Sequence, residues 1–416
     1  MKKHLLALSA AAVLLAPNAV GAEGFSINEW SAEGFGMGGA RMFAENDAAN
    51  FAYNPASMTK IQGEKAKVSL AYISPHGKYT AEDKYGGPDV NGHNRVNPAF
   101  APGMYYVKQI NDKEWFGLGT YSRFGNMCQF ERDSIVASNA FSSRMNGVSL
   151  GMNYARKHDN KWSTSVGAEI NYVGLQLDKN LGAPHLSKSS PLHIEGTTWA
   201  LGWNAAANYA FDDKNEFGVV YRSKVKHSME GNYDIHGLKN IVPQAPVNDL
   251  YGDAYGCVTL PENWMLGYGH KFNDRTRMEL NATWTRWSRF DAFNVQTDGM
   301  LGPLGGSKNW KDGWRYAIGI EHKLSDKYTL LAGMAHDERG IPDETADFMV
   351  PTGERDTYTL GVQYHDKKQT IAASFGYMDV GDLNMDGSAH STDAYKKAKM
   401  YSSFTKIIVL SYQYNF

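Results

Sequence analysis

The chain has 416 residues, with 42 Lys+Arg against 44 Asp+Glu, 42 glycines, 10 Trp, 24 Tyr, 18 Phe and 2 Cys. A net charge of -2 leaves no basic excess for a phosphate backbone, and two cysteines cannot build a disulfide framework or a four-thiolate zinc site. A mean hydropathy of -0.47 argues against a bundle of transmembrane helices, while the glycine and aromatic load suits a large antiparallel β structure.

The first segment reads as a secretory leader. Lys2 and Lys3 give a positive start, Leu5 to Ala16 is apolar, and small residues follow to Ala22. This predicts a signal peptide over 1–22 and an exported mature chain. Residues 23–63 do not alternate in polarity and contain the run Gly34-Phe35-Gly36-Met37-Gly38-Gly39-Ala40. Some forty residues cannot hold a core of their own. They are expected to fold into the mouth of whatever follows, as a hatch. The glycine run is not a phosphate loop, because no strand precedes it and no Lys-Ser/Thr follows it.

From 64 to 416 the pattern has period two. Met278, Leu280, Ala282 and Trp284 alternate with Glu279, Asn281 and Thr283, and Trp314, Tyr316, Ile318 and Ile320 alternate with Arg315, Ala317 and Gly319. Successive strand side chains point to opposite faces, so each segment has an apolar and a polar face. Aromatic residues cluster at the ends of the apolar face, as the girdles of a membrane barrel require. Six short Asn/Asp-rich connections, at 111–113, 158–161, 212–215, 273–275, 325–327 and 366–368, separate seven long irregular ones. Thirteen connections join fourteen strands, with short turns on the periplasmic side and long loops outside. The last strand ends with Ile408, Leu410, Tyr412, Tyr414 and Phe416 on one face. The expected fold is therefore all-β: a 14-stranded antiparallel transmembrane β-barrel over 64–416, plugged by a small N-terminal hatch over 23–63, in the outer membrane of a Gram-negative bacterium.

Several blocks carry a resemblance. The stretch from Glu23 to Trp30, the glycine run, and Asp47 to Asn50 leading to Asn54-Pro55-Ala56 resemble the hatch of FadL-type long-chain fatty acid transporters. Leu260-Pro261-Glu262-Asn263-Trp264 with Trp287-Ser288, and Lys311 to Arg315 followed by Asp337, Pro342, Val350-Pro351 and Arg355-Asp356, resemble further blocks of that family. The resemblance implies passive, ligand-gated diffusion of long-chain fatty acids or related hydrophobic compounds into the periplasm by a monomeric barrel. It places Phe25 and Ile27 at the ligand site and Asn54, Pro55 and Ala56 in the hatch motif. It also implies a kinked third strand, expected at Trp115 to Asn126, where Gly117, Gly119 and Gly125 would permit broken pairing.

A carboxylate ligand needs a dry groove for its tail and a cation for its head. The region from Asp298 to Lys311 offers Met300, Leu301, Leu304 and Trp310 beside Lys308 and Lys311, and Arg315 should point into the lumen. Lys308 and Arg315 are the head-group candidates, the bland alternatives being a solvated loop lysine and an arginine paired with a lumenal acid. Asp382, Asn384, Asp386 and Asp393 fall at calcium-loop spacing, although turn chemistry produces the same run and position 12 is Asp instead of Glu. Cys128 and Cys257 both fall in or near outer loops, where a disulfide is open to them. No His-Glu-x-x-His or Gly-x-Ser-x-Gly motif is present, so no catalysis is expected. The rival readings are a general diffusion porin and a transporter of neutral aromatic hydrocarbons.

Overall fold

The computed structural model describes residues 24–183, 188–298, 304–386 and 393–416. The leader expected at 1–22 lies outside these residues. Among them, fourteen staves form one closed antiparallel barrel. The first seven are β1 (Glu64–Asp83), β2 (Ala99–Asn111), β3 (Glu114–Tyr121, resuming as Gly125–Gln129), β4 (Ser142–Lys157), β5 (Trp162–Ala183), β6 (Lys188–Ala210) and β7 (Asn215–Arg222, resuming as Val225–Ile235). The second seven are β8 (Leu250–Leu260, then Asn263–Lys271), β9 (Thr276–Thr285, extended by Ala292–Thr297), β10 (Leu304–Ser307, then Gly313–Lys323), β11 (Tyr328–Asp337), β12 (Arg355–His365), β13 (Gln369–Val380) and β14 (Tyr395–Asn415). Closure comes from β1 and β14, paired from Lys65↔Asn415 to Asp83↔Tyr395. A closed ladder leaves no edge in lipid, where an unpaired backbone group would find no water.

Alternation decides which face looks out. In β1, Lys65, Lys67 and Ser69 are buried while Val68 and Leu70 are exposed. In β14, Ile408, Leu410, Tyr412 and Tyr414 are exposed, whereas Ile407, Val409, Ser411 and Gln413 are buried. The apolar set faces outward, as lipid requires. Rings line up across neighbouring staves: Trp203, Tyr221 and Trp264 lie 4.9 and 4.7 Å apart, and Trp162 and Tyr209 lie 4.7 Å apart nearer the short turns.

The staves run further into the long connections than expected. β5 and β6 reach Ala183 and Lys188, and β7 and β8 reach Ile235 and Leu250. Above the aromatic row the outer face becomes polar, with Asp178 and His193 joined at 2.6 Å, so the extensions stand in water and lose the lipid-facing signature. β3 is broken, at Ser122–Phe124. Gly125, one of the three glycines named for that break, lies at its edge, where the stave resumes, but the other two have another role. Gly117 and Gly119 keep their pairing with Val107 and Tyr105. A Cβ on Gly117 would lie 2.6 Å from Met58 Sδ, and one on Gly119 2.8 Å from Phe51 Cδ1, so both make room for the N-terminal segment.

Residues 24–63 contribute no stave. They form α1 (Ala32–Gly36), α2 (Asn50–Tyr53) and a 3-10 turn over Pro55–Lys60, all nearly without exposure up to Met58. Ser31 caps α1 by accepting from the Gly34 N–H at 3.0 Å, and Asn54 caps the 3-10 turn by accepting from Ala56 N–H at 3.1 Å. Bonds from this segment reach inward-facing groups around the wall. Ala32 N–H donates to Ser411 Oγ at 2.8 Å, Gly38 N–H to Thr359 Oγ1 at 3.1 Å, and Met42 N–H to Glu279 Oε2 at 2.5 Å. On the far side Asn54 Nδ2 donates to Asn208 Oδ1 at 2.7 Å, and Trp115 Nε1 donates to the Ile61 carbonyl at 2.8 Å. Gly38 has φ +64° and stands where a Cβ would lie 2.8 Å from the Met334 carbonyl oxygen. Only glycine accepts both conditions.

Candidate functional site

The break in β3 is where the N-terminus meets the wall. Ile27 N–H donates to the Arg123 carbonyl at 2.9 Å, and Gly125 N–H donates to the Phe25 carbonyl at 2.8 Å. Backbone groups freed by the break are thus satisfied by Gly24–Ile27, as buried polar groups must be. This short extended segment aims the Phe25 side chain into an aromatic box. Ring centroids of Trp287, Phe290, Trp310 and Phe124 lie 4.8, 5.2, 5.6 and 5.9 Å from that of Phe25, mostly edge to face. Phe25 has no exposed surface. The box exists because the chain between the two parts of β9 turns inward as a 3-10 helix, Trp287–Arg289, carrying Trp287 and Phe290 with it.

Beyond Phe25 lies a partly open apolar cavity, about 780 Å³ with its solvent-filled mouth included. Its wall is made by inward positions of β4 to β8, where Met145, Leu175, Gly196, Gly231 and Ala254 stand in register. The two glycines remove side chains from the middle of that row and deepen the space. A second, more polar and partly open chamber, about 1230 Å³ with its solvent-filled mouth included, adjoins it and is lined in part by Leu304, Lys179, Glu344 and Asp347. Lys308, Phe293, Val295 and Met349 line both chambers, so they form the threshold between them. Such a space can hold a hydrophobic molecule in a dry site next to a wet entrance; it presents no set of groups with a shared proton-transfer geometry.

The expected site residues divide as follows. Phe25 and Lys308 line the cavity, Trp310 packs against the Phe25 ring without lining it, and Leu304 lies in the outer chamber. Ile27 is buried in a different cluster, with Ala71, Met127 and Ile407. Met300 and Leu301 lie outside the described residues. Arg315 is not in the cavity wall. It pairs with Asp337 at 3.1 Å and donates to the Gly38 carbonyl at 2.5 Å, because Arg315 and Asp337 are direct partners in the β10–β11 ladder. Lys308 is also taken: its ammonium is buried against Asp347.

Asn54, Pro55 and Ala56 are buried in the N-terminal segment, away from the aromatic box. The calcium spacing does not gather its residues among those described. Asp382 pairs with Lys399 at 2.7 Å, Asn384 lies in a short ladder beside β14, Asp386 is exposed, and Asp393 accepts from Asn139 Nδ2 at 3.3 Å. No group of three or more metal-ligating side chains is assembled among the described residues.

The suggested disulfide is corrected. Cys128 is a buried free thiol and Cys257 an exposed one. Strand parity explains this: Val258, the next residue along β8, enters the core that contains Cys128, which turns Cys257 to the other face. Phe124, Phe290 and Asp347 were not singled out in the sequence. Phe290 follows the Trp287-Ser288 block by two residues, a signal that could have found it, whereas Asp347 carries none.

A barrel of this topology, girdled outside by aromatic rings and holding a buried N-terminal segment against an apolar cavity, defines an outer-membrane β-barrel of the channel class. The chain belongs to the family described as outer membrane protein transport protein (OMPP1/FadL/TodX), whose profile matches residues 13–416. It is 25% identical over 402 residues to the long-chain fatty acid transport protein of Escherichia coli O6:H1 (strain CFT073), covering 89% of this chain and 90% of the relative. It is 24% identical to outer membrane protein P1 of Haemophilus influenzae, covering 88% and 87%. In fold it matches a Pseudomonas aeruginosa FadL homologue with TM-score 0.84 at 20% identity, over 94% of this chain and 100% of that one. The toluene transporter TodX of P. putida matches with TM-score 0.73 at 18% identity, over 94% and 99%.

Proposed function

We propose that the protein carries hydrophobic small molecules passively across the outer membrane into the periplasm. The relatives named for long-chain fatty acid and for toluene transport support this reading at the level of ligand class. The observation that carries it is the placement of Phe25, fully buried in an aromatic box on an apolar cavity, at the end of a segment that also bonds to the broken stave. In this reading residues 1–22 are a signal peptide, 23–63 a hatch, and 64–416 the barrel. Phe25 touches the ligand with Trp310 packed against its ring, Lys308 stands at the entrance, and Asn54, Pro55 and Ala56 hold the hatch together. The barrel works as a monomer in outer-membrane lipid, without catalysis.

The test compares cells carrying and lacking the gene for uptake of labelled oleate and labelled naphthalene. Saturable uptake of at least one, reduced by Phe25→Ala with the barrel still folded, is expected. Uptake of both that is unchanged by deletion overturns the reading, and uptake that never saturates points to the porin instead.

A further inference from the structure

The threshold between the two chambers carries one charged pair, and its electrostatics bear on what passes. Lys308 and Asp347 are 5% and 7% exposed, and their ammonium and carboxylate are in contact. Neither end is free to move. The Lys308 backbone N–H donates to the Asp291 carbonyl at 2.7 Å, and its carbonyl accepts from the Thr345 hydroxyl. Asp347 Oδ1 accepts from the backbone N–H groups of Met349 and Val350 at 3.1 and 3.4 Å. A ligand carboxylate that captured Lys308 would leave Asp347 buried, held in place and without a cation, which is the expensive way to break a buried pair.

Among the described residues Lys308 is the one cation that lines both chambers; Lys179 lines only the outer one. Arg144, Glu195 and Glu230 line the inner cavity from the positions that alternate with Met145, Ile194 and Met229, and Arg144, whose Nε is buried, does not reach the outer chamber. Arg315 is committed to Asp337. Beside Phe25 the Arg355 guanidinium is engaged by the Gly24 carbonyl and the Thr352 hydroxyl and lines a separate pocket, while the indole N–H groups of Trp287 and Trp310 are buried against the Phe25 ring and have no hydrogen-bond partner among the described residues. Such donors suit an uncharged oxygen more than they offset the desolvation of an ion.

We infer that Asp347 is a specificity-determining residue: by neutralising Lys308 at the threshold, it makes the cavity select uncharged hydrophobic molecules over free carboxylates of the same tail. This rests on the transport reading above and names its substrate class. The same lysine without its partner would be a carboxylate site, so one substitution should abolish the preference.

The test measures saturable binding of radiolabelled oleyl alcohol and oleate to the purified mature protein, wild type and variants, in one detergent. These probes share a tail and differ in head charge. Wild type should bind the alcohol about tenfold more tightly than oleate. Asp347→Asn should tighten oleate binding about tenfold and leave the alcohol within about twofold. The double variant Lys308→Met/Asp347→Leu removes both charges without stranding either, and should keep the wild-type preference even where the single variant folds poorly. Equal or tighter oleate binding by wild type, unchanged in Asp347→Asn, overturns the inference while the transport reading stands. Saturable binding of neither probe overturns the transport reading itself.

Discussion

Lys67 on β1 and Asp47 in the N-terminal segment meet at 2.5 Å, both almost fully buried. Lys67 also pairs with Glu33 at 2.9 Å, and Asp47 with Arg41 at 3.1 Å, while Arg41 goes on to Glu321 of β10 at 2.6 Å. One chain of charges therefore ties the segment to two separate parts of the wall. Lys67→Met leaves two buried acids short of a cation, which costs about 3–5 kcal/mol where a buried pair is broken from one side. The barrel ladder does not depend on this group. Limited proteolysis of the folded variant should cut within residues 24–63, where wild type resists; equal resistance would count against the ion pair as the anchor.

Phe25→Ala removes the ring at the centre of the box. Truncating a buried Phe typically destabilises its surroundings by about 3–5 kcal/mol, and here the loss is confined to the N-terminal segment and the turn at Trp287–Arg289. Transport should fall several-fold while barrel melting, followed by heat-dependent electrophoretic migration, stays put. Unaltered transport would mean that the cavity does not lie on the route.

Gly38→Ala tests the close approach of segment and wall. The added Cβ would meet the Met334 carbonyl at 2.8 Å with φ at +64°, so strain and clash add. The expected penalty exceeds about 1 kcal/mol, expressed as looser docking of the segment. Gly86→Ala is the control: it also has positive φ, but nothing lies within 4 Å of its Cβ position. Protease sensitivity equal in the two variants would remove the case for close approach.

The short turns give a pH prediction. Asp159 accepts from the N–H groups of Trp162 and Lys161, both at 2.7 Å, and Asp366 from those of Lys368 and Gln369 at 2.8 and 2.9 Å. These backbone bonds hold both carboxyls below the usual value. A carboxyl with a lowered folded value adds stability that is fully present above the ordinary value of about 3.9 and is lost as pH falls through the folded one. Carbon NMR of the carboxyls should show both titrating below about 3.9. Titration at or above that value would show the turns to be open in solution.

The number and direction of the staves were legible because period two and alternating connection lengths are local signals. The outward row from Ile408 to Phe416 came directly from spacing. The watery extensions of β5 to β8 were not legible, since their outer faces are polar and no longer contrast with a lumen. Within the site, Phe25 and Trp310 were found through resemblance and aromatic content. The partners that decide the chemistry were not. Asp347 lies 39 residues from Lys308, on a different long connection. Arg315 and Asp337 are linked only once the β10–β11 register is known. The pairing of Cys128 with Cys257 failed on parity, which composition cannot see.

The most direct test of a hydrophobic-compound transporter closed by its own N-terminal segment is single-channel conductance in planar bilayers. The mature wild-type protein should be silent or flicker briefly at moderate voltage, and a variant lacking residues 24–48 should open to steady currents. Large, steady currents from the wild type would contradict the closed barrel and favour a diffusion porin.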